Sequence, residues 1–151
     1  MDTYYHYTTP PKSRHIGRDE IIFGSMCVDD NGKGLYTTGL RHGDALHVSD
    51  FDPTIPGLEV FGVHEIEEGT TGPGVALFSA INGEILFLGS QNKDVGRGVA
   101  DNIDATKEGA QMWSSGSPFL FDIFFLYFYQ LPPDPPPPKL PPPNPRSEEH
   151  T

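Results

Sequence analysis

With 151 residues, the chain has room for one domain or part of one. Its formal charge of −11 excludes an electrostatic nucleic-acid binder, which needs a basic face to displace phosphate counterions. Its one cysteine, Cys27, excludes an internal disulfide and a paired-cysteine zinc site. The acid is concentrated: from Asp44 to Glu108, 12 Asp and Glu stand against only Lys93, Arg97 and Lys107. Such a density repels itself unless something neutralises it, and bound divalent cations are the first candidate.

Composition divides the chain into an irregular N-terminal segment (1–17), a folded zone (18–116) and an aromatic, proline-rich tail (117–151). The first ten residues are polar and aromatic, without the apolar stretch of a signal peptide, and Pro10-Pro11 interrupts any regular element. In the folded zone, short strands are expected at 20–23, 34–38, 58–64, 75–79 and 84–87, bounded by Gly, Asn and Asp. Asn82-Gly83 joins the last two and predicts a tight hairpin with φ > 0 at both residues. No window carries ten residues at helical spacing, so the zone reads as all-β. In the tail, 7 of the 17 aromatic residues fall between Phe119 and Tyr129, and 10 of the 16 prolines between Pro132 and Pro145. The apolar run is interrupted by Asp122 and is too short to cross a bilayer core of about 30 Å. The polyproline stretch is expected to be extended and solvated, giving a non-globular tail.

An internal repeat is the most informative feature. Residues 50–61 (DFDPTIPGLEVF) align without gaps on 102–113 (NIDATKEGAQMW). Asp50 falls on Asn102, Asp52 on Asp104, Gly57 on Gly109 and Glu59 on Gln111. A weaker third copy leads into Glu20-Ile21-Ile22-Phe23. A period near 50 residues with about four short strands per unit points to a partial β-propeller, about two blades.

Two constellations carry chemistry. The run Asp50-x-Asp52-x4-Gly57-x-Glu59 sets three carboxylates around a sharp turn, which suits the six to eight oxygens calcium takes. The same Asp residues equally suit turn capping through backbone N–H groups. In the second copy Asn102 and Gln111 bring neutral oxygens beside Asp104, so an ion there is held by less charge. The second constellation is cationic. Lys93 and Arg97 flank Gly96 in an acidic surrounding and suit a substrate carboxylate. Within the folded zone the imidazoles are His42, His47 and His64, with His42 and Asp44 expected to share a strand face. A lone strand histidine is more often a hydrogen-bonded core or rim residue than a ligand.

The strings RDEIIFGSMCVDDNGKGLYTTGLRHGDALHVSDFDPTIPGLEVFGVHE (18–65), GVALFSAINGEILF, KDVGRG (93–98) and MWSSG (112–116) resemble polysaccharide lyase family 11, the rhamnogalacturonan lyases. The resemblance covers about 100 residues. It implies an eight-bladed, calcium-bearing propeller, secreted from the cell, that cleaves the rhamnose–galacturonate backbone of pectic rhamnogalacturonan I by β-elimination. Lys93, Arg97, His42 and His64 are the candidates near substrate, and Asp50, Asp52 and Glu59 the candidate calcium ligands. Asn102 and Asp104 are the candidates in the second copy, where Asn102 and Gln111 depart from the acidic residues the family usually carries at both copies. Neither a nucleic-acid nor a membrane partner is expected. The rival readings are a non-catalytic, calcium-stabilised propeller module and a translated assembly artefact. The latter arises because the resemblance stops at Gly116 and RSEEHT (146–151) matches one frame of a common sequencing adapter.

Overall fold

The computed structural model describes residues 5–7, 20–67, 69–117, 119–123 and 129–130. The proline-rich stretch 132–145 and the terminal RSEEHT lie outside the described residues. Twelve strands and no helix occur among the described residues, as the all-β reading expects. They form three four-stranded antiparallel sheets, each in simple consecutive order. The first sheet holds β1 (Tyr5–Tyr7), β2 (Glu20–Phe23), β3 (Met26–Val28) and β4 (Gly34–Thr37). The second holds β5 (Leu46–Ser49), β6 (Glu59–Val63), β7 (Pro73–Ser79) and β8 (Ile85–Gln91). The third holds β9 (Gly98–Asp101), β10 (Gln111–Ser114), β11 (Phe119–Asp122) and β12 (Tyr129–Gln130).

Side-chain alternation explains why the second sheet sits between the other two. On one face Leu46, Val60, Ala76 and Phe78 pack with Ile22 and Cys27 of the first sheet. On the other, Phe61, Val63, Val75 and Leu77 pack with Ala100, Met112 and Phe121 of the third. All five residues of β6 are buried, so after Glu59 the strand reads as a continuous run without exposed positions rather than an alternating one. Polar links span the same seams. The Tyr36 hydroxyl donates to Ala80 O at 2.9 Å. His47 Nε2 donates to Gly98 O at 3.1 Å. Burial, with the nearby Glu20 charge, pushes the Cys27 thiol up to about 11, which keeps it protonated and inert at neutral pH.

Several sequence expectations change here. The 52-residue period led to about two units, whereas three sheets are present, because the first unit reaches back to β1 and the third forward to β12. β1 lies in the segment read as irregular and pairs with β2. β11 lies within the stretch read as tail, yet Met112 pairs with Phe121, which is buried in the core. At Asn82-Gly83 only Gly83 takes positive φ. Ser79 and Glu84 close a wider loop, with Ser79 N–H donating to Glu84 O and Gly83 N–H to Ser79 O. His42 and Asp44 lie in the connection before β5, not on a strand.

Candidate functional site

In an antiparallel meander, successive connections alternate between the two ends of the sheet. Register therefore sorts the candidate residues into two groups. Ser49 pairs with Glu59, and Glu59 with Ser79, so loops 50–58 and 80–84 share one end. Gln111 pairs with Asp101, which sets loop 102–110 at that end too. Connections 38–45, 64–72 and 92–97 lie at the other. All four candidates for contacting substrate belong to this second end, and all the candidate metal ligands to the first. A five-residue strand separates them, about 15 Å at strand rise.

At the second end, the loop after β8 carries Lys93, Asp94 and Arg97. Its anchor is Val95, fully buried, with Gly74 and Gly116 lying where a Cβ would strike the Val95 side chain. Ser90 and Asn92 take φ of 50° and 55°, a left-handed conformation that is uncommon outside glycine and recurs where backbone geometry is over-determined. Asn92 also exchanges hydrogen bonds with Gly72: its N–H donates to Gly72 O at 2.7 Å, and its Oδ1 accepts from Gly72 N–H at 3.1 Å. The Ile66 N–H donates to Asp94 Oδ1 at 3.2 Å, tying this loop to the one after β6. Lys93 Nζ donates to Gly116 O at 3.0 Å. Arg97 Nη1 meets Asp44 Oδ2 at 3.1 Å with the guanidinium mostly exposed, and this hydrogen bond holds the Asp44 carboxyl below the usual carboxylate range. His42 lies between two carboxylates, with Nε2 3.2 Å from Glu65 Oε2 and Nδ1 3.2 Å from Glu67 Oε1.

His64 differs from the other three. It is 2% exposed, and its Nδ1–H donates to Arg41 O at 2.6 Å. Burial pushes its pKa down, so the ring is held neutral. Sequence reading passed over Arg41, the residue that organises this end. Its guanidinium donates to the carbonyls of Glu65 (2.6 Å), Thr71 (2.7 Å) and Pro73 (2.7 Å), fastening the whole loop after β6. Backbone acceptors some 24 to 32 residues away leave no trace in spacing or composition.

At the first end, the two repeat copies close their loops in the same way. Glu59 Oε2 accepts from the N–H of Phe51 (2.8 Å) and of Asp52 (3.0 Å). Gln111 Oε1 accepts from Ile103 (2.9 Å) and Asp104 (2.8 Å). Asp52 Oδ1 accepts from Thr54 N–H (2.9 Å) and hydroxyl (2.6 Å), and Asp104 Oδ1 from Thr106 N–H (3.0 Å) and hydroxyl (2.6 Å). The turn-capping role considered for these aspartates is thus filled. Among the described residues, no group of three or more His, Cys, Asp or Glu side chains is arranged to hold a metal ion. A groove of about 390 Å³ between β5 and β9 is lined by His47, Asp50, Pro53, Asp101 and Asn102, among others. Asp50 and Asn102, the first positions of the two copies, therefore share this groove.

The family model for the C-terminal domain of rhamnogalacturonan lyase family 11 matches residues 11–124. The chain belongs to that family. It is 54% identical over 101 residues to rhamnogalacturonan endolyase YesW and 51% identical over 102 residues to rhamnogalacturonan exolyase YesX, both of Bacillus subtilis (strain 168). These alignments cover 67% and 68% of the chain and 16% of each relative. The crystal structure of YesW superposes with a TM-score of 0.68 at 44% identity, over 80% of this chain and 19% of that one. The rhamnogalacturonan lyase PL11 of Bacillus licheniformis gives 0.65 at 45%, over 73% and 18%. The family match runs past Gly116, where the resemblance in the sequence stops, and includes all of β11. No helix among the described residues is long and apolar enough to cross a membrane.

Proposed function

We propose that the chain supplies three adjacent blades of the propeller of an extracellular rhamnogalacturonan lyase, and that its Lys93–Arg97 loop binds the acidic backbone of rhamnogalacturonan I. The observation that carries this reading is the gathering at one end of the sheets of Lys93 and Arg97, on a loop pinned by Val95, and His42, on the connection before β5. The reaction would remove the C5 proton of galacturonate and expel the O4-linked rhamnose, leaving a 4,5-unsaturated uronate. The C5 proton becomes acidic enough only when the adjacent carboxylate is neutralised. Arg97 and Lys93 are the groups for that task, since the acidic loops lie at the opposite end. His42, between Glu65 and Glu67, is the half-exposed imidazole at the same end. His64, neutral and sealed under Arg41, positions the loop.

Calcium belongs to loop 50–58 in this reading, as a structural charge. The buried Glu59 Oε1 has no hydrogen-bond partner. The Asp50 and Asp52 charges also act on Glu59, after burial itself, to raise its pKa. A hard divalent cation fits such an oxygen and, when bound, supplies the positive charge that this loop lacks.

Calorimetric titration with a rhamnogalacturonan I oligosaccharide tests the substrate assignment. Replacing both Lys93 and Arg97 by Ala is expected to weaken binding about 100-fold, roughly tenfold for each charge-assisted hydrogen bond removed. Equal affinity of wild type and the double variant would overturn the assignment.

A further inference from the structure

The two matched loops differ at one atom. In loop 50–58 the second carboxylate oxygen of Glu59, Oε1, is buried and unpartnered, in a residue with no exposed surface. In loop 102–110 the corresponding atom is the Gln111 amide nitrogen, which donates to Gly109 O at 3.4 Å. The 52-residue correspondence makes Gly57 O the counterpart of that acceptor. A carboxylate has no proton to give a carbonyl, so the first loop is left with an uncompensated buried charge. The second loop has none. A neutral amide instead provides both the acceptor for two backbone N–H groups and a donor for the carbonyl.

We infer that loop 102–110 closes without a metal ion, the Gln111 amide standing where loop 50–58 needs a cation. This departs from the expectation of calcium at Asn102 and Asp104, and the residues present do not fit an ion there. Asp104 Oδ1 is engaged by Thr106, and Gln111 has both polar atoms engaged within its own loop. Asp101 accepts at Oδ1 from the Asn102 N–H at 2.7 Å, so that carboxylate too is partly engaged by backbone. At the position matching Glu59, the second copy has no carboxylate; the buried carboxylate near it is Asp122, on β11 opposite Gln111 and outside the repeat. The first half of the contrast rests on the calcium reading proposed above; the second does not.

Glu59→Gln should rebuild the Gln111 arrangement in the first loop, replacing the unpartnered carboxylate oxygen with an amide that can donate to the Gly57 carbonyl.

The test is amide NMR of the full chain, titrated with calcium and then with chelator at neutral pH. The Phe51 and Asp52 amides, which donate to Glu59, are expected to shift with calcium. The Ile103 and Asp104 amides, which donate to Gln111, are expected to stay where they are. Glu59→Gln should abolish the response at Phe51 and Asp52, and Gln111→Glu should create one at Ile103 and Asp104. A calcium response at Ile103 and Asp104 in the wild type would overturn the inference. So would a folded Gln111→Glu variant that stays silent at both. Should Gln111→Glu not fold, the wild-type comparison decides alone. If calcium leaves all four wild-type amides unmoved, the calcium reading of the first loop fails while the metal-free closure of the second stands.

Discussion

Phe61→Ala is expected to lower folding stability by about 3–5 kcal/mol, the range for removing a large aromatic from a packed core. The ring has no exposed surface and lies on the face of the middle sheet that meets the third sheet. Its neighbours leave no room to slide: the His47 ring centroid is 6.4 Å away, and a Cβ on Gly98 would approach Phe61 Cε1 to 3.0 Å. The gap left by alanine would therefore persist rather than collapse, which is the costly case. Against a total stability of about 5–15 kcal/mol for a domain, the loss is large. Leu88→Ala, at an edge-strand position 41% exposed, should change stability by about 0.5 kcal/mol or less. Urea unfolding followed by fluorescence of the lone Trp113 compares the two variants. Similar midpoints would mean that the second and third sheets do not share a core.

Gly43→Ala is the second large effect, for a different reason. A Cβ at Gly43 would fall on the Val63 carbonyl and against the His64 backbone. These are main-chain atoms at the end of a buried strand, so they cannot yield as a flexible side chain would. Overpacking of this kind costs about 1–3 kcal/mol, and more where backbone must move. The displaced segment carries His42 and Asp44, so the variant should also bind the oligosaccharide less tightly. Gly96→Ala is the control in the same region. Its Cβ would meet nothing closer than Asp44 Oδ2 at 3.8 Å, and stability should be unchanged. An equal loss in the two variants would show that the close approach at Gly43 is not what holds the connection in place.

How much of this was legible in the sequence depends on whether the cause is local. β2, β4, β6, β7 and β8 announce themselves through apolar alternation or runs bounded by Gly and Asn. β3, with three residues, is too short for a period to register, and β5 and β9 go unmarked although they are as long as β2 and β4. The 52-residue repeat proved the most faithful signal, since aligned residues make the same hydrogen bonds at nearly the same distances. It also concealed a difference, because Glu and Gln are alike in shape and opposite in what the second polar atom can do. Strand β11 was hidden inside an aromatic run whose composition resembles low complexity; only its pairing with β10 reveals Phe121 as core. Arg41 and the sealed state of His64 depend on carbonyls far along the chain, and no motif encodes them. The string His42-Gly43-Asp44 was visible, but its glycine is explained only by the nearness of the Val63 carbonyl.

The most direct test of the central claim uses a hybrid enzyme. The segment of endolyase YesW that aligns with this chain, 101 residues at 54% identity, would be replaced by the corresponding residues of this chain. The rate of 4,5-unsaturated uronate formation on rhamnogalacturonan I would then be followed by absorbance, with the 151-residue chain alone as a second sample. The hybrid is predicted to keep lyase activity, and Lys93→Ala with Arg97→Ala in the hybrid to reduce kcat/KM about 100-fold, equivalent to about 2.7 kcal/mol of transition-state stabilisation. The chain alone, which aligns with 16% of the length of YesW, is predicted to give no turnover above a heat-killed control. A folded hybrid whose activity is untouched by loss of both cations would contradict the account, as would turnover by the chain alone.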